Sequence, residues 1–516
     1  MPAPKGTRKN MVWSGASYLA GPVAQLVAAP IIIHRLGAEI YGVLLLVNTV
    51  VQMSSVSSFG MGDATVKYVA EYAAQKRTDD LVELIRTTLL LYLFLGSLTV
   101  VSINLLAPLL AERVFNVSPR YLADAIIGLR IGSASILLSL VYSVGQSLCR
   151  GLRRHDVESS TAVLGSLLGP ASSCLLVSRG YGLTAVVSVT CGIMCLNNLV
   201  MGWRCTRLLG TASWLVPKFR WDNIRRLASY GFFGWIQMLE WVLVNQADRL
   251  LISSALGPAA VTPYAICLQL TQMANGIVAQ GFSYLFPLAA ELYVKKRVVE
   301  LRHLFLSGMQ LTSIASLAIG ALLFVYGQTI LFVWLGNSLG DYNRDLILVL
   351  ASSAALMGTT IVPFYVLNGA GYVRLNAVFT MSSTAAIFPC SVLFVHWLGV
   401  IGMAASKLMT VIPGLVARAI TGRIVLKDPR IWIGAWQLLP TLCGLALLWF
   451  AHLRFQLPAT APEHPVAALA TVLGAIATTT LLSLLVYQTE INRLAPELLN
   501  EQATATTGMP MTVPTH

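Results

Sequence analysis

Residues 70–84, AEYAAQKRTDDLVEL, are answered 220 residues later by residues 290–304, AELYVKKRVVELRHL. Ala70-Glu71 recurs as Ala290-Glu291, Lys76-Arg77 as Lys296-Arg297, and Leu81 and Leu84 as Leu301 and Leu304. The same frame reaches back to Leu36-Gly37 and Leu256-Gly257, and to Gln52-Met53 and Gln272-Met273. An apolar chain matches itself at some positions by chance. Chance does not favour a glycine turn and a Lys-Arg pair in one frame. The chain is read as an internal duplication.

Composition supplies the setting. Of 516 residues, 56% are apolar and 11% charged, and the mean hydropathy is +0.72. A soluble domain carries about 25% charged residues, so this chain lacks the charge to cover a water-facing surface. The eight cysteines lie mostly inside apolar runs, with Cys149 and Cys205 near basic loops. They form no pattern with disulfide or metal-ligand spacing, and Cys191 and Cys195, one turn apart, read as packing. A net charge of +13 would suggest nucleic acid in a soluble protein. Here the positive-inside rule accounts for it, and no nucleic-acid partner is expected.

Apolar runs that can span hydrocarbon fall near 11–33, 39–61, 84–109, 121–148, 157–178 and 181–202. More follow near 227–255, 259–289, 303–326, 345–367, 374–395, 399–420, 431–451 and 465–488. That makes about fourteen spans, each of roughly 20 apolar residues or more. The first run, after Lys5, Arg8 and Lys9, is too long for a signal peptide and reads as an uncleaved span. With the N-terminus inside, the outer loops hold only Arg35, Arg113, Arg120, Arg179, Arg344 and Arg454. The inner ones hold Lys67, Lys76, Arg77, Arg150, Arg153, Arg154, Lys218, Arg220, Lys295, Lys296, Arg297, Arg418 and others. That imbalance, roughly four to one, would collapse if an early span were missed, and it puts both termini in the cytoplasm.

A shift of 220 residues contains six spans, an even number, so the two copies enter the membrane in the same direction. The frame continues with small changes: Gly151 matches Gly369, Gly180 matches Gly399, and Ala185 matches Ala404. The fold expected is an all-α polytopic membrane protein of two parallel six-helix repeats, plus a C-terminal helix pair. The expected boundaries are 1–202 for the first lobe, 203–226 for a basic cytoplasmic linker and 227–422 for the second lobe. The extra pair takes 423–490, and 491–516 reads as a disordered tail. Duplicated membrane proteins of this kind are usually transporters.

The sequence has no Walker A loop, HExxH or GxSxG, and no metal or cofactor site is expected. Ionisable residues inside apolar runs are the informative ones, because a charge at a helix centre costs about 2.5–3.5 kcal/mol on insertion scales. The seventh span carries Gln237, Glu240, Asn245, Gln246, Asp248 and Arg249, with Gln237, Glu240 and Asp248 inside an 80° arc. Glu240 lies roughly 20 Å from the inner end at 1.5 Å per residue. Glu240 and Asp248 are candidate ion-coupling carboxylates, against a reading as structural ion pairs. Arg130, roughly 14 Å below the outer end of the fourth span, is a candidate contact for an anionic substrate group, against snorkelling. Arg249 and Arg35 could join the same positive field, and Lys407 invites the same two readings.

The stretch Ile33-His34-Arg35-Leu36-Gly37-Ala38-Glu39-Ile40-Tyr41-Gly42 resembles the first inter-helix turn of polysaccharide transporter flippases. So do Phe59-Gly60-Met61-Gly62, Tyr68-Val69-Ala70-Glu71-Tyr72 and Gly151-Leu152-Arg153-Arg154-His155-Asp156. In the second half, Asp248-Arg249-Leu250-Leu251-Ile252 and Leu256-Gly257-Pro258-Ala259-Ala260-Val261 agree. The resemblance covers about residues 11–425. It is to the Wzx-type branch of the multidrug/oligosaccharidyl-lipid/polysaccharide (MOP) superfamily. It implies two lobes around a central cavity in the bacterial inner membrane. It also implies flipping of an undecaprenyl-diphosphate-linked oligosaccharide to the outer leaflet by alternating access. Implied partners are membrane lipids and, beyond them, polysaccharide polymerase and chain-length or export proteins.

Rival readings are a cation-coupled multidrug antiporter or lipid II flippase of the same superfamily, and a membrane polymerase or ligase. The Arg-rich opening associated with lipid II flippases is missing, and the short outer loops leave little room for a catalytic domain. The topology is directly testable. Alkaline phosphatase fused after Asn116 should be active, and green fluorescent protein fused after Arg153 or Lys296 should fluoresce; the reverse pattern would invert the orientation.

Overall fold

The computed structural model describes residues 6–336, 344–427, 438–455 and 465–507, and every regular element among them is helical. The helices of the first half are α1 (Gly6–Leu36), α2 (Ala38–Met53), α3 (Met61–Ala74), α4 (Thr78–Leu109), α5 (Leu122–Gly151), α6 (His155–Ser178) and α7 (Leu183–Leu209). Then come α8 (Trp221–Leu256), α9 (Pro258–Gly281), α10 (Leu285–Val294), α11 (Val298–Leu335), α12 (Arg344–Gly369), α13 (Val373–Leu408) and α14 (Val411–Ile420). The last pair is α15 (Leu438–Phe455) and α16 (Pro465–Thr507). The chain packs as two compact units, residues 1–262 and 263–516.

The duplication is written into the backbone more clearly than into the side chains. Among the described residues, fourteen have positive φ, and twelve of them pair across the repeat. The pairs are Gly37 (84°) with Gly257 (85°), Lys76 (56°) with Lys296 (58°), and Asn116 (51°) with Gly336 (75°). Further on come Arg153 (57°) with Gly371 (86°), Gly180 (88°) with Gly399 (62°), and Gly210 (68°) with Lys427 (51°). The hydrogen bonds repeat too. Arg77 N–H donates to Tyr72 O at 2.9 Å, and Arg297 N–H to Leu292 O at 3.0 Å. Arg154 N–H reaches Cys149 O at 2.8 Å, and Tyr372 N–H reaches Leu367 O at 3.0 Å. These are the bonds by which a left-handed residue closes a helix C-terminus. Only Phe59 (47°) and Gly60 (66°) have no counterpart in the second copy.

Ten helical stretches are long and apolar enough to cross a membrane, and eleven if the bent α8 is one span. The sequence reading expects about fourteen. The difference arises because α15 and the described apolar part of α1 are short, and because Val373–Val425 runs on as one stretch through the break at Gly399. The tail differs as well. Helix α16 continues to Thr507, where disorder is expected from residue 491. The stretch Leu494-Ala495-Pro496-Glu497-Leu498-Leu499 consists, apart from its proline, of strong helix formers.

Unit 1 has its core where α3, α4, α5 and α7 meet, around Val69, Leu84, Ile85, Tyr92, Val144, Leu148 and Met201. The segment after α7 is ordered, not free. Trp214 is buried, Arg86 donates to Val216 O at 2.7 Å, and Lys218 reaches Glu83 at 2.6 Å. Unit 2 repeats the device, with Arg302 of α11 donating to Leu426 O at 3.0 Å. The helix pair outside the duplication belongs to the core of unit 2. Leu445, Leu448, Val472 and Ala475 pack on Leu317, Phe324 and Ala355, and Trp449 donates to Ser352 at 3.1 Å.

Within unit 1 the two copies of the glycine-turn motif touch. Thr262 donates to Ala38 O at 2.6 Å. A side chain on Gly42 would overlap the Pro258 carbonyl. Under the shift of 220, Ala38 becomes Pro258 and Gly42 becomes Thr262, so each contact is the image of the other, as in a self-complementary interface. Glu39 fastens the same region by accepting from Ser118 at 2.6 Å.

Gly257, at φ 85° and ψ 168°, has a conformation that strains any side chain. Gly257→Ala should destabilise by about 1–3 kcal/mol in thermal unfolding in detergent. Lys76→Gly and Lys296→Gly should be neutral or stabilising by up to about 1 kcal/mol, since they relieve left-handed strain.

Candidate functional site

The helix richest in intramembrane polar residues, α8, is fastened along its length to α2 and the short 3-10 turn that follows it. Trp235 Nε1 donates to Val56 O at 2.9 Å, and Ser58 Oγ lies 3.5 Å from Met238 Sδ. Gln246 Nε2 donates to Gln52 Oε1 at 2.8 Å. Arg249 Nη1 lies 3.5 Å from Thr49 Oγ1, and Ser253 Oγ donates to Phe115 O at 2.6 Å. Numbers rise on α8 as they fall on α2, so the seam is antiparallel.

Helix geometry explains which residues take part. On α2, Val47 and Val51 face Gly132 of α5. At 100° per residue, Asn48, Thr49 and Gln52 then occupy an adjoining 100° arc. Thr49 is fully buried, whereas Asn48 and Gln52 are exposed. Both exposed amides lie inside an apolar helix, at its eleventh and fifteenth positions. On α8, Gln246 and Arg249 share the face turned to α2, and Gln246 is 4% exposed.

The sequence-derived cluster is therefore divided. Glu240 is half-buried and lies about 180° round α8 from Arg249. Asp248, 6% exposed, is turned about 100° from Arg249. Gln237's side chain lies outside the described residues. Arg130 is exposed and about 160° round α5 from Gly132, the residue that meets α2, so the structure does not bring it to the seam. Arg35 is exposed in the last turn of α1, next to the contact of the motif copies. Lys407 is half-buried in unit 2.

Sequence reasoning missed Asn48, Thr49 and Gln52 as site residues. Their signal was three polar residues at i, i+1 and i+4 in an otherwise apolar run. It also placed Arg418 among the inner-loop charges. The structure buries Arg418 to 1% exposure, with Nη2 donating to Thr359 O at 2.7 Å.

The end of the seam near Gly231 is a close backbone approach. Helix α8 bends by 57° between Trp221–Ser229 and Gly234–Leu256. There Gly231 meets the break between α2 and α3, and the Trp235 ring stacks on Phe59 with centroids 5.5 Å apart. Asp63 sits in the first turn of α3, where the helix dipole favours a carboxylate. Its Oδ2 lies within 3.4 Å of where a Gly234 side chain would begin.

The family described as polysaccharide biosynthesis protein matches residues 7–293. An uncharacterised membrane protein of Methanocaldococcus jannaschii is 23% identical over 426 residues, covering 77% of this chain and 80% of its own. An inward-facing multidrug resistance MATE family transporter of the MOP superfamily superposes with a TM-score of 0.69 at 16% identity, covering 80% of this chain and 98% of its own. An outward-facing MATE structure gives 0.60 at 15% identity, covering 83% and 99%. A MOP superfamily transporter from Pyrococcus furiosus, described as having a binding pocket of reverse polarity, gives 0.57 at 15% identity, covering 81% and 92%.

A methyl group on Gly231 would lie 2.9 Å from Phe59 O, so Gly231→Ala should cost about 1–3 kcal/mol in thermal unfolding. Gly202→Ala, in α7 with nothing within 4 Å, should be neutral.

Proposed function

We propose, from the premise that the chain belongs to the polysaccharide biosynthesis protein family and has the fold of the MOP transporters, that it carries a lipid-linked oligosaccharide across the membrane. The cargo in this reading is an undecaprenyl-diphosphate-linked repeat unit of a surface or exopolysaccharide. It passes from the inner to the outer leaflet of the bacterial inner membrane, by alternating access. The protein is a multi-pass membrane protein whose relatives of known fold are transporters, not enzymes.

The observation that carries the proposal is the α2–α8 seam. Exposed amides at Asn48 and Gln52 within an apolar helix are unfavourable against lipid, and they are tolerated where a polar cargo path passes. Arg249 stands one turn from Gln246 on the same face. A guanidinium presents donors in a planar fork that suits a diphosphate. The polyprenyl tail stays in the bilayer while the seam takes the headgroup. Arg35, at the outer end of α1, would extend the positive field toward the exit side. Glu240 and Asp248, turned away from the cargo-facing side of α8, would serve the coupling to an ion gradient. Both termini would lie in the cytoplasm, and polymerase and chain-length or export proteins would take up the product outside.

The test is flipping of a fluorescent diphosphate-linked glycolipid in vesicles, with and without imposed H⁺ or Na⁺ gradients. Arg249→Ala should lower the rate about tenfold or more, the worth of one charge-assisted contact of ~1.5–3 kcal/mol. Arg130→Ala should change it less than about threefold, because a snorkelling arginine contributes little to a site it does not face. No flipping under any gradient, or dye export in its place, would overturn the proposal.

A further inference from the structure

A carbonyl in an α-helix accepts from the N–H four residues further on. Pro363, inside α12, has no N–H to give. Helix α12 therefore cannot close Thr359 O by itself, and Thr359 is 1% exposed, shut off from water. The donor comes from another helix. Arg418 of α14 gives that one oxygen two hydrogen bonds, from Nη2 at 2.7 Å and from Nε at 3.2 Å. An arginine within an apolar span is costly unless its donors are met. The buried guanidinium answers the gap that the proline opens.

The first copy of the repeat supplies the control. The frame that pairs Gly151 with Gly369 sets Gly145 opposite Pro363. The frame that pairs Gly210 with Lys427 sets Met201 opposite Arg418. Helix α5 contains no proline, and Gly145 has its N–H. The side chain against it is apolar, since Met201 packs where a side chain on Gly145 would begin. The copy without the proline has no arginine, and the copy with the proline has one. In that second copy Gly414, one turn before Arg418, lies against Thr360. A Cβ on Gly414 would stand 2.6 Å from Thr360 Cγ2 and 3.7 Å from Thr360 Cβ. Helix α14 thus meets α12 through two contacts one turn apart, one close-packed and one polar.

We infer that Arg418 is a positioning residue: it stands in for the N–H that Pro363 lacks, and so holds α14 on α12 as one body when unit 2 changes state. Apolar packing alone tolerates sliding, because one ridge and groove resemble the next. A guanidinium bound to an orphan carbonyl does not. A slip of one residue, about 1.5 Å along the axis, would offer it only carbonyls that the helix already uses. Arg302 of α11 secures the segment after α14 by donating to Leu426 O at 3.0 Å. The positioning role stands on unit 2 alone, and its effect on cargo movement rests on the transport reading above.

Two experiments test the inference. The first measures thermal unfolding of Arg418→Met in detergent, in wild type and in a Pro363→Ala background. In wild type it should lower the melting temperature by about 5 °C, since it orphans a buried carbonyl. In the Pro363→Ala background the loss should be less than about half as large, because the restored N–H closes Thr359 O. Pro363→Gly, which copies the first unit, gives a second background with the same N–H. Arg418→Lys carries the same comparison if Arg418→Met fails to fold. Equal losses with and without the proline would overturn the inference. The second experiment uses a cross-link, for which the 3.7 Å separation suits Gly414→Cys with Thr360→Cys. The oxidised double variant should flip a diphosphate-linked glycolipid within about twofold of its reduced form, since parts that move together lose nothing by being tied. Loss of flipping on oxidation, restored by dithiothreitol and absent from oxidised wild type, would show that α14 slides on α12 and overturn the inference. Absence of flipping in wild type would count against the transport reading and leave the melting comparison to decide the role of Arg418.

Discussion

The last carbonyls of a helix have no partner within the helix itself. A chain that crosses a membrane many times must close each helix end with its own backbone. Much of this structure follows from that constraint. Twelve left-handed residues, paired across the two halves, end the helices at the same places in both copies. The spacing of these closures sets the length of each span, and hence which faces can meet. Side chains have drifted far more freely. At the Arg153 and Gly371 pair, and at Asn116 and Gly336, one copy keeps glycine and the other accepts strain. Strain at an L-residue costs roughly 1–2 kcal/mol, whereas an unsatisfied buried carbonyl costs comparable free energy at every helix end that lacks closure.

The site arises where the repeat is broken. Phe59 and Gly60 are the positive-φ residues with no counterpart, and they receive the bend of α8 at Gly231. That contact fixes one end of the α2–α8 seam, while the paired glycine-turn motifs fix the other through Thr262 and Ala38. Between these two anchors lie Gln246 and Arg249. Their equivalents in the first copy are Leu26 and Ala29, so one copy keeps an apolar helix where the other has a polar face. Duplication thus supplied a scaffold, and divergence of one helix pair supplied chemistry.

The fold was largely legible because it rests on two coarse signals, apolar runs and loop charge. The copies of Leu36-Gly37 and Lys76-Arg77 showed the duplication, and the glycine turn now has a physical meaning as a helix closure. The span count was less legible. The sequence reading divides 374–395 from 399–420, close to the break at Gly399, while Val373–Val425 runs on as one apolar helical stretch. The site was half legible. Arg249 and Gln246 stood out as polar residues in an apolar run, but depth alone cannot tell one face of a helix from another. Glu240 and Asp248 share an arc of 80°, as their spacing indicates, and Arg249 points away from Glu240. Arg130 looked central by depth, yet the face of α5 that meets α2 belongs to Gly132. Arg418 shows the converse error, since a positive charge near a helix end reads as a loop residue even when its guanidinium is buried on a carbonyl.

Under the proposed function, the division of α8 into faces bears on how one helix would serve both cargo and drive. Were Glu240 on the face of Arg249, its carboxylate would compete with a diphosphate for the same guanidinium, and binding cargo would require breaking an ion pair in low dielectric. Turned about 180° away, it cannot compete. In the proposed reading, a proton or cation taken up there acts on the same helix without occupying the cargo-facing side. The coupling can then pass through the position of α8 as a whole. The contact that governs that position is the Gly231–Gly60 approach, where backbone meets backbone and no side chain is available to absorb a shift.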